Sequence, residues 1–267
     1  MRRASFVALA WAMASACVAQ TGGQTVDFSV ASAGPADGVA GQPLTFTTAA
    51  GWDVVLTQAK LYIGAVYLDE SRPISGGQAT GCYLTGTYVA QETSALDVDL
   101  LNPGLQLFPA KAHGITDPPA LVGQVWLTGG DINTSVDSTP ILVVAGTATS
   151  ASVPGGPSFP FTGTVTISSN RQTASSGAAG GDPICKGRIV TPIDAVPIQT
   201  TGGLLLRIDP RRYFAGVDFS QLPVGASAGS YAFSDDPNNA GYSPTGFQLY
   251  TNLRQTAPYA FSWTDAL

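Results

Sequence analysis

Alternation with period two dominates the pattern of apolar and polar positions along this chain. Val26, Phe28 and Val30 alternate with polar neighbours, and so do Phe161, Gly163, Val165 and Ile167. The same holds for Leu204, Leu206 and Ile208, and for Phe247, Leu249 and Thr251. Side chains two apart on an extended backbone share a face, so each run predicts a strand with one face on a core. Residues 52–68, WDVVLTQAKLYIGAVYL, predict one long strand or a pair of strands. Gly64 marks the bend or bulge between them. Further strands are predicted over 121–128, 139–149, 188–191, 230–234 and 259–263. Between them fall turn-forming clusters: Pro154-Gly155-Gly156-Pro157, Gly202-Gly203 and Asp235-Asp236-Pro237-Asn238-Asn239. Helical periodicity is scarce. Short turns are predicted near Leu100–Leu107 and over Pro210–Ala215, the second with Asp209 as its cap and Pro210 at its first helical position. Gln172–Pro183, rich in Ala, Ser and Gly, predicts a long loop. Many short strands separated by turn chemistry predict an all-β fold, a single-domain antiparallel β-sandwich over 26–267 with long loops and little helix.

The opening residues break this pattern. Arg2 and Arg3 precede a short apolar stretch from Ala4 to Ala16, which runs through Ala14, Ser15 and Ala16 into Cys17. This layout predicts an export signal over 1–19, too short for a membrane span, and a flexible tether over 20–25. Cys17 sits in a lipobox-like position, with Ala14 where Leu is typical. Two routes stay open, lipidation of Cys17 or cleavage near Ala19. Val18 after the cysteine favours outer-membrane delivery under the usual bacterial sorting rule. The protein is thus expected to be exported by a Gram-negative bacterium, either outer membrane-anchored through an N-terminal lipid or periplasmic or secreted. Either route leaves Cys82 and Cys185 as a pair, and an oxidising compartment favours a bridge over two unpaired thiols. Such a bridge closes a loop of roughly a hundred residues, worth at most about 4.7 kcal/mol in the chain-entropy model.

Composition narrows the partners. Charged residues make up 11% of the 267 residues, and the net charge is −6. Loss of Arg2 and Arg3 with the leader makes the chain more acidic still, so no nucleic-acid partner is expected. No later stretch is apolar enough for a spanning helix.

Few residues suggest chemistry. His113, the one histidine, falls in KAHGITDPP, read as a loop, and no Gly-x-Ser-x-Gly elbow accompanies it, which argues against a His-based hydrolase. With Met1 and Met13 in the leader and two cysteines committed to each other, soft ligands are few, so no copper or zinc centre and no cofactor is expected. Asp97 and Asp99 share one face of LDVDLL, a spacing compatible with glycosidic acid–base chemistry. An ordinary half-exposed strand explains them as well, since Leu96, Val98 and Leu100 take the other face. Asp235, Asp236 and Asn238 offer oxygen ligands for calcium, and the same residues are what a tight turn selects. Arg207, Arg211 and Arg212 form the densest positive feature, within LLLRIDPRRYFAGVDFS. They are candidates for an anionic ligand, or for local pairing where Tyr213-Phe214 folds back on the sandwich. Trp126, with Trp52 and Trp263, is a candidate sugar-stacking face or core residue.

WDVVLTQAKLYIGAVYL, the stretch from Gly81-Cys82-Tyr83 through Asp97-Val98-Asp99-Leu100-Leu101, and RIDPRRYFAGVDF together resemble a group of uncharacterised exported lipoproteins of Gram-negative bacteria. That group is distantly similar to the MbnP-like periplasmic, copper-associated β-proteins. The resemblance spans most of residues 44–220 and implies a β architecture. Cys82 stands where the group's pattern carries His, and no His cluster replaces it, so the copper role does not carry over with the architecture. The expected function is a non-enzymatic envelope module, binding or structural, whose partner is a glycan, another envelope protein or a small molecule. A metal-binding, copper-associated periplasmic protein is the alternative, and a carbohydrate-active enzyme using Asp97 and Asp99 stands behind both.

Overall fold

The computed structural model describes residues 23–71, 87–127, 139–153, 155–166, 189–227, 229–235 and 243–267. The export signal, Cys17, Cys82, Cys185, Ile167, Asp236 and Asn238 lie outside the described residues, and with them the lipid, the disulfide and most of the calcium set.

The strands are β1 (Thr25–Ala33), β2 (Leu44–Thr47), β3 (Trp52–Ile63), β4 (Ala65–Asp69), β5 (Tyr88–Glu92), β6 (Leu96–Asp99) and β7 (Gln106–Ile115). They continue with β8 (Val122–Trp126), β9 (Leu142–Ser150), β10 (Ser158–Val165), β11 (Ile189–Asp194), β12 (Gly203–Ile208), β13 (Tyr231–Ser234) and β14 (Tyr259–Thr264). An eight-stranded sheet has the order β11-β8-β4-β5-β7-β1-β12-β14. In the second sheet the order is β13-β10-β9-β3-β2, with β6 also on β3. Pairing is antiparallel except for β1 with β12 and β10 with β13, which run parallel. The expected all-β sandwich is therefore present, and two parallel pairs modify its antiparallel character.

The strand break expected at Gly64 is where the chain changes sheets, β3 belonging to one and β4 to the other. Gly64 N–H donates to the Trp126 carbonyl at 2.8 Å. Within β3, Val54 and Leu56 face inward, and then Ala59, Leu61 and Ile63 do. The phase slips because a bulge between Leu56 and Gln58 inserts an extra residue. One apolar core joins both sheets, from Phe28, Val66 and Leu206 on one side to Leu56, Val144 and Phe161 on the other.

Two expectations are corrected. Phe247, Leu249 and Thr251 do not form a strand; they lie in α1 (Pro244–Leu253). Its buried positions Gly246, Leu249, Tyr250 and Leu253 follow helical spacing, and Ser243 Oγ caps it by accepting from Gly246 N–H at 2.8 Å. His113 is not in a loop but on β7, which begins at Gln106 and pairs with both β1 and β5. The turn expected near Leu100–Leu107 ends before that strand begins.

Candidate functional site

The segment Asp209–Ala215 begins where β12 ends. Asp209 Oδ1 accepts from Arg211 N–H at 3.1 Å, and Pro210 opens a single 3-10 turn over Pro210–Phe214. This is the capped turn expected from the sequence. Tyr213 and Phe214 are fully buried, Phe214 against Phe46, Phe161 and Phe219. The buried aromatic pair drives the turn into the core and leaves Arg211 and Arg212 at the rim. Asn252 of α1 fastens it from behind, donating through Nδ2 to the Tyr213 carbonyl at 2.8 Å and the Ala215 carbonyl at 2.7 Å.

Opposite this turn stands the hairpin joining β2 to β3. Thr48 N–H donates to the Trp52 carbonyl at 2.8 Å and Gly51 N–H to the Thr48 carbonyl at 2.9 Å. Gly51 has φ +79°, where a side chain would be strained. Phe46, Thr47, Thr48 and Ala49 on this wall and Asp209, Arg211, Arg212 and Ala215 on the other line an open cleft of about 330 Å³. That volume lies at the lower end for small-molecule sites, roughly 300 Å³ and upward.

Arg211 is engaged at each of its three guanidinium nitrogens. Its Nη1 and Nη2 donate to Asp37 at 2.8 and 3.2 Å, and its Nε donates to Asp209 Oδ1 at 2.7 Å. The Arg211 hydrogen bond holds the Asp37 carboxyl below its usual range, and its two carboxylate partners push the Arg211 guanidinium further up. Arg212 is exposed, and its side chain has no hydrogen-bond or ion-pair partner among the described residues. Arg207 lies apart from the cleft, its Nη1 donating to the Gly34 carbonyl at 2.9 Å. The structure thus brings together two of the three arginines. Asp37, Phe46, Thr47 and Thr48 were missed in the sequence, because they lie some 160 residues upstream and only folding places them beside the arginines.

A second polar cluster occupies the eight-stranded sheet on the face turned away from the shared core. Trp126 Nε1 donates to Gln124 Oε1 at 2.9 Å, and Gln124 Nε2 donates to Asp69 Oδ2. The indole N–H can only donate, which fixes the Gln124 amide with its nitrogen toward Asp69. Asp69 Oδ1 has no partner among the described residues, and burial pushes the carboxyl up to about 6. Tyr67 lies between the rings of Trp126 and Tyr88 at centroid distances of 4.2 and 4.4 Å, and burial raises its phenol. Trp126 is therefore stacked, buried and distant from the arginines. Tyr67 with Asp69 and Gln124 with Trp126 follow a two-residue spacing that could have revealed this second face.

The other candidates are dispersed. His113 Nδ1 lies 2.6 Å from Asp27 Oδ1, both exposed. Asp97 and Asp99 project from β6 while Val98 is buried between them, and Asp99 Oδ1 accepts from Leu101 N–H at 3.0 Å. Asp235 is buried and accepts from Thr166 N–H at 3.0 Å. Trp52 packs edge-on against Phe159 and Phe219, and Trp263 packs against Phe28 at 5.0 Å. Among the described residues no three His, Cys, Asp or Glu side chains gather as a metal site. His113 with its single carboxylate does not fit a copper centre.

Together these features define a two-sheet β-protein with a surface cleft whose walls are internally hydrogen-bonded. In the solved structures it is similar to MbnP from Methylosinus trichosporium, at 15% identity and a TM-score of 0.38, over 90% of this chain and 99% of that one. No family model and no curated protein matches the chain.

Proposed function

We propose that this protein is an exported, non-enzymatic envelope module, anchored in the outer membrane through a lipid on Cys17 and braced by a Cys82–Cys185 disulfide, that binds a small ligand in the cleft between Phe46–Ala49 and Asp209–Ala215. One observation carries the reading. Both walls of the cleft are tied down by internal hydrogen bonds, while the Arg212 side chain at its rim has no partner among the described residues. A site that needs no ordering on binding loses little of its contact energy to entropy. Arg212 supplies a charged, forked donor suited to a carboxylate or another planar anion. Asp97 and Asp99 remain ordinary exposed strand residues in this reading, with no role in chemistry.

Protein recovered from the envelope of its host, or of a Gram-negative expression strain, tests the reading. Mass spectrometry is expected to show diacylglyceryl on Cys17 and one Cys82–Cys185 linked peptide. Amide chemical-shift mapping with a panel of sugars and small organic acids is expected to perturb residues 46–49 and 209–215 together. An unmodified chain starting at Gln20 would end the anchor, and shifts confined to other surfaces would end the cleft.

A further inference from the structure

We infer that the ligand of this cleft is a sugar acid, one monosaccharide-sized unit bearing a single carboxylate and several hydroxyls. The inference rests on the cleft being the binding site and adds the chemistry of what enters it. Charge comes first. Arg211 directs Nε, Nη1 and Nη2 at Asp209 and Asp37, so its single positive charge is more than matched by two carboxylates. Arg212 brings the group of two arginines and two aspartates to neutrality, and its side chain, without an ion-pair partner among the described residues, offers a forked pair of N–H donors to one carboxylate. A dianion such as phosphate gains the same fork but brings its second charge near the carboxylate of Asp209, which lines the same cleft. One negative charge is therefore favoured over two.

The rest of the lining suits hydroxyls. Asp209 uses Oδ1 for Arg211, and its Oδ2 has no hydrogen bond to the described residues. Thr47 Oγ1 donates to Asp53 Oδ1 at 2.6 Å, which leaves its lone pairs as acceptors. Thr48 Oγ1 accepts from Trp52 N–H at 3.2 Å, which leaves its own hydrogen to donate. The lining thus combines acceptors, a donor and the apolar side chains of Phe46, Ala49 and Ala215. A hydroxylated ring presents both hydrogen-bonding edges and an apolar C–H face, whereas acetate carries a methyl group but no hydroxyls to meet the polar lining. A volume of about 330 Å³ has room for one such ring, with the open side free for whatever is joined to it.

Calorimetry on the mature protein compares glucuronate, galacturonate and digalacturonate with glucose, acetate and inorganic phosphate. At least one uronate is expected to bind tenfold or more tighter than glucose, acetate or phosphate, and more weakly as salt rises. R212Q is expected to lose at least tenfold in uronate affinity with an unchanged melting temperature, and T48V several-fold. Digalacturonate binding as tightly as galacturonate would identify a uronate within a glycan as the source; binding of the monomers alone would identify a free sugar acid. Equal binding of glucose and glucuronate, tighter binding of phosphate or acetate, or an R212Q variant that binds normally would each overturn the inference. A neutral ligand that shifts amides at 46–49 and 209–215 and binds at least as tightly as every uronate would leave the cleft standing and remove the sugar acid. Silence from the whole panel at these residues would remove both.

Discussion

Two buried carboxylates show how one residue type can settle or load a fold. Glu92 is buried but accepts from both the backbone N–H and the hydroxyl of Ser94. Asp69 is equally buried and receives one bond, from Gln124. Loss of water without replacement disfavours the charged form, so Asp69 keeps its proton up to about pH 6 in the folded chain, against 3.8 for the free group. Between those values folding takes up a proton. The contribution of Asp69 to stability is thus full below pH 4, declines as pH rises and is lost above 6, by roughly 3 kcal/mol at most. D69N is expected to flatten this part of the melting-temperature profile and to exceed the natural protein in stability at pH 8. Identical profiles for the two proteins would show that Asp69 is not protonated on folding. None of this was legible from YLDE alone. Strand alternation places Asp69 beside Tyr67, but only pairing of β4 with β8 reveals that Gln124 is its partner.

Elements were legible where one face is wet, and misread where helix and strand spacing overlap. β10 alternates without interruption over its whole length, and its sequence predicts it. β7 is largely exposed, so little apolar alternation marks it. For α1, Phe247 and Leu249 suggested a strand, while Ser243-Pro244 already carried a helix-start signal in the cap and first-turn proline. The correct reading matters because α1 holds the cleft wall. Asn252 satisfies two carbonyls of the arginine turn at once, and its removal leaves both without that donor. N252A is expected to cost about 1–3 kcal/mol, read from urea denaturation. It should also loosen the Asp209–Ala215 wall, so that amide exchange quickens at Ala215 and leaves the β2–β3 hairpin unchanged. A loss of stability with no change at Ala215 would separate the helix from the cleft. The capped turn itself was readable from DPRR, since a carboxylate before proline is a local signal. The opposing wall was not, because its approach is tertiary.

At the scale of the whole molecule, the eight-stranded sheet curls until its far ends meet. Phe261 projects from β14, the last strand in the order, and its ring lies over Gly123 of β8, the second strand. A Cβ built on Gly123 would stand 2.1 Å from a ring carbon of Phe261. Gly123 is thus the position at which the two ends of the sheet come together, and its role is to leave room for a ring. In sequence it reads as an unremarked glycine in VGQVW, because the partner that demands it is over a hundred residues away. Closure of this kind shields strand edges that would otherwise recruit other chains. G123A is expected to push Phe261 outward and destabilise by about 1–3 kcal/mol, the usual scale for overpacking. F261A is expected to cost about 3–5 kcal/mol through the cavity it leaves. The two effects share one space, so the double variant G123A/F261A should cost clearly less than the sum of the single ones. Strict additivity in guanidinium unfolding would mean that the glycine is needed for something other than this ring. A single variant that unfolds as cooperatively as the natural protein but self-associates would place the contact in guarding the sheet edge rather than in holding the core.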